Sequence, residues 1–151
     1  MLPFGNPSRI KLSNCIKMEV SYIGSIPTDI KPSNGCTIKP VENIWRRSVS
    51  EDKLPRMLLT LNPSGIQLRN IKSSEIMEFK CSDIGHFCAL HPNMERIFSW
   101  LHAQNGDRNQ LWVHAIFTSS AVHSYYLARH LDEYFKVNSE ADDLIKENLL
   151  K

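Results

Sequence analysis

The sequence has no run approaching the roughly 20 consecutive apolar residues that a membrane helix needs. It also lacks a signal peptide's charged start and apolar run, opening instead Met1-Leu2-Pro3-Phe4-Gly5. The expectation is a chain that is not exported: cytoplasmic, at most peripheral at the inner membrane surface. Cysteine is sparse. Cys15, Cys36, Cys81 and Cys88 are scattered with no CxxC pair. They read as free thiols, the usual state in the cytosol, and Cys81 and Cys88 sit among apolar strand-like residues. The histidines at 86, 91, 102, 114, 123 and 130 make no zinc-ligand spacing with them, so no metal is expected. Charge of either sign is in small excess only: 18 Lys and Arg face 16 Asp and Glu, a net of +2. That is too little to argue for nucleic acid. No phosphate loop, metal motif or nucleophile–base spacing occurs. His86 and His91 read as isolated polar residues. The expectation is a non-enzymatic chain with no catalytic residue, no cofactor and no small-molecule substrate.

What is present fits one domain in 151 residues. Residues 1–13, with two prolines and a glycine in the first dozen, read as a flexible leader. Residues 14–137 carry the periodic patterns of a domain. Residues 138–151 read as a charged tail or an extension of the preceding helix.

Ile16, Met18, Val20 and Tyr22 alternate with Lys17, Glu19 and Ser21, a half-buried strand that stops near Gly24–Pro27. Thr28–Gly35 is loop. Thr37 stands where a helix N-cap would, with Pro40 in the first turn. Val41, Ile44, Trp45 and Val49 then recur at helical spacing. Short strands follow: Met57–Leu61, Ile66–Arg69, Ile76–Cys81, Asp83–Leu90, Arg96–Ala103 and Leu111–Ser119. Turn signals separate them at Asn62–Gly65, Ser73-Ser74, His91–Asn93 and Gln104–Asp107. Ser120 is a candidate N-cap for a last helix, with Leu127, Ala128, Leu131, Tyr134 and Phe135 on one face. Hairpin-length links imply antiparallel pairing. The reading is an α+β, mainly β, chain: a seven-stranded antiparallel bent sandwich or partly open barrel. An extra helix lies between strands 1 and 2, and a C-terminal helix caps the sheet. This is the pleckstrin-homology-like superfold.

Several segments resemble the phosphotyrosine-binding (PTB/PID) family in particular. Val20-Ser21-Tyr22-Ile23-Gly24-Ser25 is similar to its first strand. Leu59–Leu68, with its Gly65-Ile66, resembles its second hairpin. Phe87-Cys88-Ala89-Leu90 and Ile97-Phe98-Ser99-Trp100 resemble its fifth and sixth strands, and Trp112–Phe117 its seventh. Leu127–Leu131 with Tyr134-Phe135 is similar to its terminal helix. Gly35–Trp45 resembles the first helix of a subgroup of Numb/Disabled-like and cubilin- and lipoprotein-receptor-related adaptors. Gly85, Val113 and His91 depart from the family pattern. For Gly85, either Ile84 takes the usual apolar role through a bulge, or another group approaches the backbone closely.

The resemblance implies an adaptor that docks a short linear peptide from a receptor cytoplasmic tail, of the Asn-Pro-x-Tyr or Asn-Pro-x-Phe kind. The peptide would add as a strand to the fifth strand. Asp83, Ile84, Gly85, His86, Phe87, Cys88 and Ala89 would form the edge, with Leu131 and Phe135 as the helical wall. The fifth strand has no arginine to pair a phosphate, so phosphorylation is not expected to be required. A weaker alternative is contact with anionic lipid through Lys11, Lys17, Arg46 and Arg47.

Overall fold

The computed structural model describes residues 15–150, with side chains described through residue 139. Seven strands form one antiparallel sheet: β1 (Ile16–Thr28), β2 (Arg56–Asn62), β3 (Gly65–Asn70), β4 (Ile76–Lys80), β5 (Ile84–Cys88), β6 (Ile97–Ala103) and β7 (Leu111–Phe117). Helix α1 (Ile38–Arg47) lies between β1 and β2, and α2 (Ala121–Leu150) ends the fold. The sheet order is β4-β3-β2-β1-β7-β6-β5, so it does not close into a barrel, and β4 and β5 are its edges. This is the mainly β architecture expected from the sequence. The expected helix from Ser120 to Lys136 is longer than read: it continues unbroken into residues 138–150. The leader, residues 1–13, lies outside the described residues.

Side-chain alternation decides which helix covers which face. Inward-facing Leu59, Leu61, Leu68, Phe79, Phe98, Trp100 and Ile116 pack with Leu127, Leu131 and Tyr134 of α2. The other face carries Ile23, Leu101, Val113, Ala115 and Phe117 beneath Val41 and Ile44 of α1. Strand β6 therefore has a helix-covered layer on each side, and its residues 97–101 form a continuous buried run.

Local chemistry fixes the turns. Asn62 Oδ1 accepts the Ser64 N–H at 2.8 Å between β2 and β3. Gly65 follows at φ 144°, where an added Cβ would lie 2.0 Å from the Phe79 carbonyl oxygen, so only glycine fits. At the start of α2 the Ser120 hydroxyl accepts the His123 N–H at 3.3 Å, the expected cap. Thr37 holds the N-cap position of α1, but its side chain makes no capping bond. Trp45 only half joins the expected apolar stripe of α1: it packs edge-on against Phe117 at 5.2 Å and stays 39% exposed. Val49 falls beyond the helix and is exposed.

Candidate functional site: the β5 edge and the α2 wall

Strand β5 pairs with β6 on one side, and among the described residues no strand pairs with its other side. An edge strand of this kind holds a row of backbone N–H and C=O groups able to receive an extended chain. The strand is shorter than the sequence pattern suggested. Asp83 lies in a 3₁₀ turn, Cys81–Asp83, that precedes it. Ala89 and Leu90 lie beyond its end. Leu90 has a φ of 56°, a left-handed conformation that breaks the ladder.

Both explanations weighed for Gly85 hold. The β5–β6 register slips between Ile84 and His86, leaving Gly85 as the extra residue of a bulge. Ile84 consequently turns into the core at 6% exposure. A Cβ on Gly85 would also lie 2.9 Å from Cγ of Pro32, in the loop before α1. Nothing in the pattern of that loop pointed to Pro32 as a neighbour of the edge. Gly85→Ala is expected to destabilise the fold by about 1 kcal/mol through this contact. Pro32→Ala in the same chain should recover most of that loss; additive costs in denaturant titrations would show that the two do not touch.

After the bulge His86 faces Leu101, Phe87 faces Trp100 and Cys88 faces Ser99. Phe87 thereby points to the α2 side. It stacks on Phe135 with ring centroids 5.6 Å apart and planes 14° apart. Both rings are half-buried and leave an apolar aromatic face beside the β5 edge; this edge and face are the candidate groove. Ala89 packs against the same cluster. Leu131, expected to offer groove surface, is fully buried and supports the wall from beneath. The helix periodicity that placed Leu131 beside Phe135 could not tell which of the two sat at the rim.

Burial favours the neutral forms of His86 and Cys88. Burial lowers the His86 pKa. Burial raises the Cys88 pKa, against a smaller lowering from the Thr37 hydroxyl. A thiol held protonated is a poor nucleophile. His91 stands at the expected turn, its carbonyl accepting the Met94 N–H, and it is buried at 1% exposure with Nε2 hydrogen-bonded to Ser99 Oγ at 2.7 Å. It anchors the loop that carries the chain from β5 to β6. Arg56 and Arg96 are engaged by Glu19 and Glu51, the latter pair bidentate. Lys17 on β1 and Arg46 and Arg47 in the last turn of α1 are exposed, on separate elements; Lys11 lies outside the described residues.

A seven-stranded open sheet with edges at β4 and β5, an aromatic pair beside the β5 edge and a C-terminal helix packed on it has the form of the pleckstrin-homology-like superfold. The phosphotyrosine interaction domain (PTB/PID) family matches residues 17–143, and this chain belongs to that family, whose members are protein-interaction modules. The "PTB-containing, cubilin and LRP1-interacting protein" of mouse is 27% identical over 129 residues, covering 78% of this chain and 59% of that protein. Its human counterpart is 26% identical over 129 residues, covering 78% of this chain and 52% of that one. The chain thus spans somewhat over half the length of these relatives. The solution structure of the C-terminal phosphotyrosine interaction domain of mouse APBB2 has the same fold: TM-score 0.68 at 14% identity, covering 80% of this chain and 85% of that one.

Proposed function

We propose that this chain is a non-enzymatic cytoplasmic adaptor that docks Asn-Pro-x-Tyr or Asn-Pro-x-Phe peptides of receptor tails by strand addition to β5. The unpaired β5 edge beside the stacked Phe87 and Phe135 rings carries the reading. Backbone bonds along the edge supply affinity with little sequence demand, and the aromatic pair supplies selectivity for an apolar residue upstream of the turn. Two relatives named for interaction with cubilin and LRP1 support the choice of receptor tails. Binding does not require phosphate. The strand carries no arginine, and both Arg56 and Arg96 are already committed to carboxylates.

Fluorescence polarisation with three peptides tests this: one containing Asn-Pro-x-Tyr, its phosphorylated form, and an Ala-Ala-x-Ala control. The first two should bind within about tenfold of each other, a difference under roughly 1.4 kcal/mol, and the control should not bind. Phe135→Ala should weaken binding about tenfold while the circular dichroism spectrum and unfolding midpoint stay near wild type. Failure of both turn peptides across several receptor tails would remove the groove assignment.

A further inference from the structure

The sequence contains Asn-Pro-Ser twice, at Asn62-Pro63-Ser64 and at Asn6-Pro7-Ser8. The first copy forms a turn in which the Asn side chain accepts the Ser N–H at 2.8 Å. It is locked between β2 and β3, with Gly65 pressed against the end of β4, so it is not a ligand for anything. The second copy precedes the sheet, is flanked by Phe4 two places upstream, and has Arg9 at the position after Ser8.

We infer that Phe4–Arg9 is a built-in competitor for the β5 groove, a weak ligand that receptor peptides must displace. The inference rests on the groove function proposed above. Three observations carry it. The tripeptide has the turn chemistry that the ligand class needs, as the Asn62-Pro63-Ser64 copy demonstrates. Phe4 offers an aromatic side chain upstream of the turn, matched to the half-buried Phe87–Phe135 pair. The connection is also short enough. Cys15 leads into β1, whose first residue, Ile16, packs against the same apolar cluster as Phe87 and Phe135. The six residue steps from Arg9 to Cys15 can span about 20 Å when extended.

Arg9 makes this segment a competitor rather than a full ligand. Where an Asn-Pro-x-Tyr peptide brings an aromatic ring, this segment brings a cation. Its own affinity is therefore weak, and tethering compensates. A linker of this length gives an effective concentration of roughly millimolar, enough for a millimolar ligand to occupy a large share of grooves. External peptide then binds with an affinity reduced by the fraction of open grooves.

The experiment uses the full chain and one fluorescein-labelled probe, Leu-Pro-Phe-Gly-Asn-Pro-Ser-Tyr-Ile-Lys. Asn6→Ala/Pro7→Ala should bind the probe about twofold more tightly than wild type. Arg9→Tyr should bind it at least tenfold more weakly, because the tethered segment becomes a full ligand. Probe binding that is equal in wild type and both variants overturns the inference and leaves the groove function standing. No probe binding to any of the three, including Asn6→Ala/Pro7→Ala, overturns the groove function and the inference with it.

Discussion

Trp100→Ala is expected to cost about 3–5 kcal/mol of folding free energy. Domains of this kind have only about 5–15 kcal/mol in total, so the variant should be marginal or unfolded at physiological temperature. Trp100 lies on β6 and is fully buried. Phe79 packs edge-on against it at 5.1 Å, Phe98 lies at 5.9 Å and His114 stacks at 5.6 Å. Deleting the indole leaves a cavity where strands from both halves of the sheet meet, and a rigid, close-packed sheet cannot collapse into it. The indole Nε1–H is buried without an acceptor, which subtracts from the native contribution of the ring. Trp100→Phe removes that orphaned donor while keeping most of the volume, so it should cost clearly less than the alanine change. Urea titration checks both. At an m value of about 2 kcal/mol/M, the alanine variant should lose about 2 M in midpoint. A loss for Trp100→Ala below about 1 kcal/mol would mean that the β6 layer is not the centre of the core.

The second large effect is acid destabilisation beginning near pH 6.5. His114 is buried within the sheet's inner face, with Nδ1 2.9 Å from the Tyr22 hydroxyl and the ring between aromatic neighbours. Burial lowers its pKa from 6.5 to about 3, and His102 nearby adds a smaller lowering. Burial also brings His91 down to about 4. Each group binds its proton more tightly in the unfolded chain than in the folded one. Stability is therefore complete above pH 6.5 and is lost as pH falls from 6.5 toward the folded values. At pH 5 His114 alone should account for about 2 kcal/mol, and His91 acts in the same direction. Arg96 holds the Glu51 carboxyl below the usual carboxylate range, so between pH 6.5 and 5 the histidines act without it. Urea midpoints at pH 8, 6 and 5 should fall steadily in the wild type. His114→Phe, which keeps a ring in place without a proton site, should be measurably flatter across the same range. Equal pH slopes for the two proteins would assign the acid sensitivity to other groups.

The two changes Trp100→Ala and Phe135→Ala separate core from groove. Both residues are aromatic and both are apolar signals in the sequence. Only the first is enclosed on all sides; the second is half-buried at the rim, stacked on Phe87. Opposite results, with Phe135→Ala unfolding the chain and Trp100→Ala abolishing peptide binding, would invert the assignment.

The sequence by itself determined the elements that alternation and turn chemistry encode. The period of two in Ile16–Tyr22 made β1, and Asn62–Gly65 made the β2–β3 hairpin. The stripe through Leu127, Leu131 and Tyr134 made α2 pack on the sheet. These signals are local: each is set by residues a few positions apart, and such neighbours are in contact whatever the rest of the chain does. The family resemblance names Phe87 and Phe135 together as expected peptide-binding residues, and the structure stacks their rings on one another.

Tertiary structure alone decided the rest. Which strands are edges depends on the order β4-β3-β2-β1-β7-β6-β5, and no local pattern states which strand lacks a neighbour. The shortening of β5 at Asp83 and after Cys88 came from the turns that join it to β4 and β6. The place of Gly85 depends on a bulge and on Pro32, more than fifty residues earlier. Leu131 and Phe135 share one helix face in the sequence, and only packing against the sheet buried the first and left the second half-exposed. His91 and His114 look like ordinary polar residues in the sequence. Their depressed pKa values arise from burial, a property of the packed whole that no short stretch of residues carries.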